Sequence, residues 1–194
     1  MDNYIKYFYI SVILLSAQGL CAQIPINNAS FEGLHSDATM PYGWFSVDEG
    51  TTPDILPEIW GVYNEPMDGE SFVGLITRQD GTNESIGQRL ASPLKKNTCY
   101  TLGLGLAHSD TYTGYNKPLY LRIWISNKHR QKQQLIFKSP LIESLDWQYF
   151  NFEFTPENEM QYIILEAFIS EERPFYKGNI LIDNMSFIQI CQRA

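Results

Sequence analysis

The chain has 194 residues, a formal net charge of −8 and a sequence pI near 4.8. So acidic a protein is repelled by nucleic acid and by anionic membrane surfaces, and both classes of partner are set aside. The charge places no bar on neutral ligands such as sugars.

The N-terminus reads as an export signal. Lys6 supplies a thin positive region, Tyr7 to Leu15 an apolar run, and Leu20-Cys21-Ala22 a cleavage site before Gln23. The apolar run is too short to span a bilayer as a mature helix. Leu20 is too large for the lipoprotein motif that would modify Cys21. Residues 1–22 are therefore expected to be a signal peptide and residues 23–194 one secreted domain, large enough for its own core and without a membrane span. Two cysteines remain in that domain, Cys99 and Cys191. In an oxidising compartment they form a disulfide; the other reading is two independent buried thiols.

A periodicity of two then dominates. Strands are expected at Ser71 to Thr77, Ile86 to Leu90 and Cys99 to Ala107, where Tyr100, Leu102, Leu104 and Leu106 share a face. Leu119 to Ser126 alternates as well, with Leu119, Leu121, Ile123 and Ile125 against Tyr120, Arg122, Trp124 and Ser126. Gln134 to Lys138 and the Phe150, Phe152, Phe154 stripe follow. Tyr162 to Ile169 is apolar on both faces except at Glu166, as a central strand is. The last strand, Gly178 to Phe187, carries Asp183 and Asn184 in its middle, and its alternation changes there: either both faces are buried or a bulge falls at that pair. Turn sequences such as Asp80-Gly81-Thr82-Asn83 and Thr155-Pro156-Glu157-Asn158 separate the runs, and no segment carries a helical stripe of useful length. The class is an all-β sandwich. Gly33 to Glu70, rich in Pro, Gly and aromatics, reads as a long loop excursion.

Three segments carry a family resemblance. Asn28-Ala29-Ser30-Phe31-Glu32-Gly33 followed by Trp44 resembles the opening motif of family 4, 9 and 22 carbohydrate-binding modules. Glu84 to Leu90, then Leu94 and Tyr100, resembles their middle, and Ile180 to Phe187 their closing strand. The chain is also similar to such modules in surface proteins of gliding bacteria. It departs from the pattern at Asn184, at Asn97 and in the long Gly33–Glu70 segment. The resemblance implies a galactose-binding-like β-sandwich of jelly-roll type. It also implies a non-catalytic module that binds carbohydrate at or outside the cell surface, with a cell-surface protein as the alternative ligand. In that family a glutamate and an aspartate hold a structural calcium, which puts the metal on Glu32 and Asp183. A buried carboxylate among apolar neighbours needs such a partner, and calcium takes carboxylates together with backbone carbonyls. The plainer reading is an exposed loop charge at Glu32 and a capping role for Asp183.

Two sets of aromatics are candidate sugar contacts. Tyr120, Arg122 and Trp124 share a strand face, where rings stack on sugar C–H faces and the guanidinium donates to hydroxyls. Trp60, Tyr63, Tyr112 and Tyr115 lie in loops and are candidates for a site at the loop end. Against both stands a second packing layer, which sandwiches build from such residues. His108-Ser109-Asp110 is not a catalytic triad, since adjacent residues cannot aim three side chains into one relay. Glu32, Glu84, Glu143, Glu153 and Glu166 supply carboxylates for a glycoside hydrolase, but nothing singles out two of them.

Overall fold

The computed structural model describes residues 23–170 and 175–192. The expected signal peptide lies outside the described residues. Among the described residues thirteen strands follow in chain order: β1 (Gln23–Ile24), β2 (Phe45–Ser46), β3 (Asp54–Leu56), β4 (Phe72–Thr77), β5 (Ser85–Leu94), β6 (Tyr100–Ala107), β7 (Lys117–Pro118), β8 (Tyr120–Ser126), β9 (Gln134–Lys138), β10 (Gln148–Phe154), β11 (Met160–Phe168), β12 (Gly178–Asp183) and β13 (Ile188–Ile190). They form two sheets. Five strands run β2-β5-β11-β8-β9, and the other sheet runs β1-β13-β6-β12-β4-β3, with β10 beside β6 and β7 beside β12. Pairing is antiparallel except between β7 and β12. The all-β sandwich expected from the sequence is the fold observed.

Alternation decides which side chains enter the core. Leu121, Ile123 and Ile125 of β8 and Ile163, Leu165 and Ala167 of β11 point inward from the five-stranded sheet. They meet Leu102, Leu104 and Leu106 of β6 and Ile180 and Ile182 of β12, all withdrawn from water. Each buried Leu or Ile among them contributes about 1.5–3 kcal/mol. β11 lies between β5 and β8, the central place its apolar sequence requires.

A second, smaller core covers the outer face of the larger sheet. Leu56, Phe72, Ile76 and Leu181 pack there with Val62 and Tyr112 from the flanking loops. Two glycines make the close approach possible. A Cβ at Gly74 would lie 2.7 Å from Leu56 Cδ1 and 3.3 Å from the Tyr112 ring; one at Gly105 would lie 2.3 Å from Met67 Sδ.

The last strand is shorter than its sequence suggests. Both faces are buried over Gly178–Asp183, as a double-faced core demands, and the strand ends at Asp183. Asn184 takes a left-handed backbone (φ 50°), after which Met185 N–H bonds to the Ala29 carbonyl and β13 resumes separately. The Gly33–Glu70 excursion also holds order the sequence did not announce, in β2 and β3. Cys99 and Cys191 are joined, with Cα atoms 5.4 Å apart. The disulfide alternative is the one observed, and it ties the chain beyond β13 to the start of β6.

Candidate functional site

The strand face carrying Tyr120, Arg122 and Trp124 points outward, as expected, but its polar groups are engaged from within. The β8–β11 register sets Arg122 opposite Glu166 and Tyr120 opposite Phe168. Glu166 is only 3% exposed. It accepts hydrogen bonds from Arg122 Nε (2.7 Å), Trp124 Nε1 (2.8 Å), Lys132 Nζ (2.7 Å) and Asn83 Nδ2 (3.1 Å). Burial works against its charge, yet the bonds from Arg122 and Lys132, the Lys132 charge and Trp124 together hold the carboxyl below its usual range. The Arg122 guanidinium also lies 3.5 Å over the Phe168 ring, and His129 covers Phe45 at 4.3 Å. The structure thus brings Tyr120, Arg122 and Trp124 together on a packed and charge-neutralised layer.

The loop aromatics behave differently. Trp60, Tyr112 and Tyr115 line one cavity of about 150 Å³ on the outer face of the larger sheet, where loops meet the end of β4, together with Asp37, Asp54, Ile76 and Arg78. Tyr63 is highly exposed and stands outside that lining. Tyr112 is 2% exposed, which corrects its expected role as a stacking ring: it forms the floor. Gly74 lies opposite Asp54 in the β3–β4 register and has no side chain, so the Tyr112 ring crosses it and its hydroxyl donates to Asp54. Burial pushes the Asp54 carboxyl up, against the bonds from Tyr112 and the Ala38 amide (2.7 Å). The buried Tyr112 hydroxyl is pushed well above its ordinary value by burial and by the Asp54 charge.

Trp60 forms the rim. It is 48% exposed, and its backbone is left-handed (φ 54°), a conformation costly for a bulky residue and found at ligand clamps. Thr113 fixes it there, donating to the Trp60 carbonyl from both its amide (2.8 Å) and its hydroxyl (2.8 Å). Arg78 closes one wall and pairs with buried Glu84 at 2.7 Å. A shallower depression shares Thr52 and Arg78 with this cavity and adds Glu49, Asp80 and Thr82. Asp37, Thr52, Asp54 and Arg78 were missed in the sequence. One signal was present: Asp54 precedes Ile55-Leu56, a carboxylate beside apolar strand formers, as at Asp183.

Glu32 and Asp183 both face the loop at residues 67–70. Asp183 is fully buried and accepts the Met67 (2.8 Å), Asp68 (3.0 Å) and Asn184 (2.6 Å) amides. Burial, with Asp68 adding repulsion, still pushes its carboxyl up to about 6. Glu32 accepts the Glu70 amide at 3.1 Å, and Ser30 donates to Asp68. Among the described residues no Lys, Arg or His forms an ion pair with Glu32, Asp68 or Asp183. In kind these donors fit a hard cation: three carboxylates, Glu32, Asp68 and Asp183, meet at one loop without a competing base. In position they are not gathered around one point. Among the described residues, the single group of three carboxylate, His or Cys ligands within reach of one ion is Cys99, Glu153 and Cys191, whose thiols are joined to each other.

Of the other carboxylates singled out in the sequence, Glu84 is engaged by Arg78, while Glu143 and Glu153 are exposed.

No protein-family model matches the chain, and no curated protein matches its sequence. Solved structures match its fold. A Stig cyclase from Fischerella sp. TAU, in complex with a pyrrolidinylidene-indole, aligns with a TM-score of 0.59 at 16% identity over 88% of this chain and 99% of that one. The xylan-binding CBM22-1 domain of Paenibacillus barcinonensis Xyn10C aligns at 0.55 and 15% over 86% and 94%. The K3 cleaved adhesin domain of Lys-gingipain from Porphyromonas gingivalis W83 aligns at 0.53 and 15% over 86% and 97%. At such identities the likeness is one of fold, and the fold is the β-sandwich that these domains share with this chain.

Proposed function

We propose that the protein is an exported, non-catalytic binding module that takes carbohydrate in the loop-end cavity. The observation that carries this is Trp60, a half-exposed indole on a strained backbone beside convergent polar groups. A flat ring with hydrogen-bonding groups at its edge matches a pyranose, which has an apolar C–H face and a polar rim. The similarity to a xylan-binding domain and to an adhesin domain supports a binding role. The test is a glycan array probed with the protein and with Trp60→Ala. A glycan bound by the first and lost in the second, at unchanged thermal midpoint, is expected. Glycan binding that survives Trp60→Ala would refute this site.

A protein ligand is the second reading, favoured by the exposed Leu34, Tyr42 and Tyr63. An array without a single bound glycan would move the proposal there. Export is supported by the Cys99–Cys191 disulfide, a bond of oxidising compartments. Among the described residues no helix is long and apolar enough to cross a membrane. We also propose that Glu32 and Asp183 contribute to a structural calcium, with backbone carbonyls completing the shell. Asp183 has three amide donors but no cation beside it among the described residues, and the ion would supply one.

A further inference from the structure

We propose that the loop-end cavity reads a positive charge, and that its ligand is an amino sugar bearing a free ammonium. This rests on the cavity being the sugar site and specifies which sugar it takes. The lining carries more negative than positive charge. Among its donors, the Tyr112 hydroxyl and the Ala38 amide are both given to Asp54. Arg78 is given to Glu84 at 2.7 Å and to Thr52 Oγ1 at 3.2 Å, and the Thr52 hydroxyl itself donates to Glu84. Arg78 is thereby neutralised by Glu84, and the Asp37 and Asp54 carboxylates leave the lining negative. The exposed Asp37 carboxylate lines the cavity and has no ion-pair partner among the described residues. Glu49 and Asp80 extend the same sign into the adjoining depression. A neutral sugar leaves this charge uncompensated; an ammonium compensates it and brings three donors to the carboxylates.

The aromatic walls agree with the sign. The faces of Trp and Tyr rings attract cations. The same molecule shows this at Tyr115, where Lys177 Nζ lies 5.4 Å from the ring centroid. Trp60 still presents half its surface to water. An amino sugar combines a C–H face for Trp60 with an ammonium for Asp37 and Asp54, within a cavity of about 150 Å³. A lysine side chain of a basic peptide has the cation and lacks the rigid C–H face.

The experiment compares, by calorimetry, a fully de-N-acetylated glucosamine oligosaccharide with its N-acetylated counterpart of equal length, at low and high salt. The expected result is at least tenfold tighter binding of the de-N-acetylated form, weakened by salt, with the preference reduced by Asp37→Asn and binding removed by Trp60→Ala. Asp37 is exposed, so this variant reports even where Asp54→Asn fails to fold. Equal affinity for the two oligosaccharides, or a preference that survives Asp37→Asn, overturns the inference while leaving a Trp60-dependent sugar site standing. Oligolysine binding as tightly as the glucosamine oligomer also overturns it. Binding of the glucosamine oligomer that survives Trp60→Ala is different: there the site itself fails, and the proposed function with it.

Discussion

Trp124 and Trp60 differ in what surrounds their rings. The Trp124 indole nitrogen is committed to a buried carboxylate, so Trp124→Ala removes packing and leaves Glu166 short of a donor. A loss of about 2–4 kcal/mol is expected from the truncation and the lost bond, read as a lower denaturation midpoint with glycan binding retained per folded molecule. Binding lost at an unchanged midpoint would return the site to this face. Glu166 also fixes a pH dependence. Its folded carboxyl is held below the unfolded value of 4.5, so its stabilisation is complete above that value and lost as pH falls through the folded pKa. The Glu166 contribution should therefore fall away on acidification below about pH 4.5, and Glu166→Gln should remove that component from the stability–pH curve. The common face of Tyr120, Arg122 and Trp124 was legible from alternation. Their capture by Glu166 was not, because it depends on the β8–β11 register between segments some forty residues apart in sequence.

At the scale of elements, the long strands were legible and the short ones were not. β6, β8, β9 and β11 announce themselves by period or composition, whereas β2 and β3 have two and three residues, too few for any period to register. The end of β12 shows the same limit. Its carboxylate stood out in the sequence, but the loop that meets it comes from residues 67–70, more than a hundred positions earlier. This loop is where a metal acts if one is bound. An ion held only by the folded state stabilises it by mass action. Chelation is expected to lower the unfolding midpoint and added calcium to restore it, with the response removed by Asp183→Ala and weakened by Glu32→Ala. A midpoint indifferent to chelator, with no calcium by elemental analysis, leaves Asp183 as a cap for three amides.

The whole molecule is a sandwich in which the loop-covered outer face of the larger sheet presents the candidate site and the outer face of the five-stranded sheet does not. That division could not be read from composition, since aromatics populate both regions. It follows from Gly74 and Gly105, which let loop side chains settle on the outer face of the larger sheet. Two predictions belong at this scale. Protein recovered from culture medium or cell envelope should begin at or near Gln23, and an intact Met1 would rule out cleavage. The disulfide closes a loop of sequence separation 92. In the chain-entropy model such a loop contributes on the order of 4 kcal/mol, so reduction or Cys191→Ser should lower the denaturation midpoint markedly. Two freely alkylated thiols in the native protein would exclude the link.

The position of that link has a mechanical consequence. β13 is a three-residue strand, and pulled from its far end it would peel away one hydrogen bond at a time. Cys191 lies just beyond it and is bonded to Cys99, at the head of a strand paired on both sides. Tension applied from residue 192 onward therefore bypasses β13 and enters at β6, where it shears many bonds together. A module loaded through that end resists drag as a unit, and reducing the link turns the same end into a zipper.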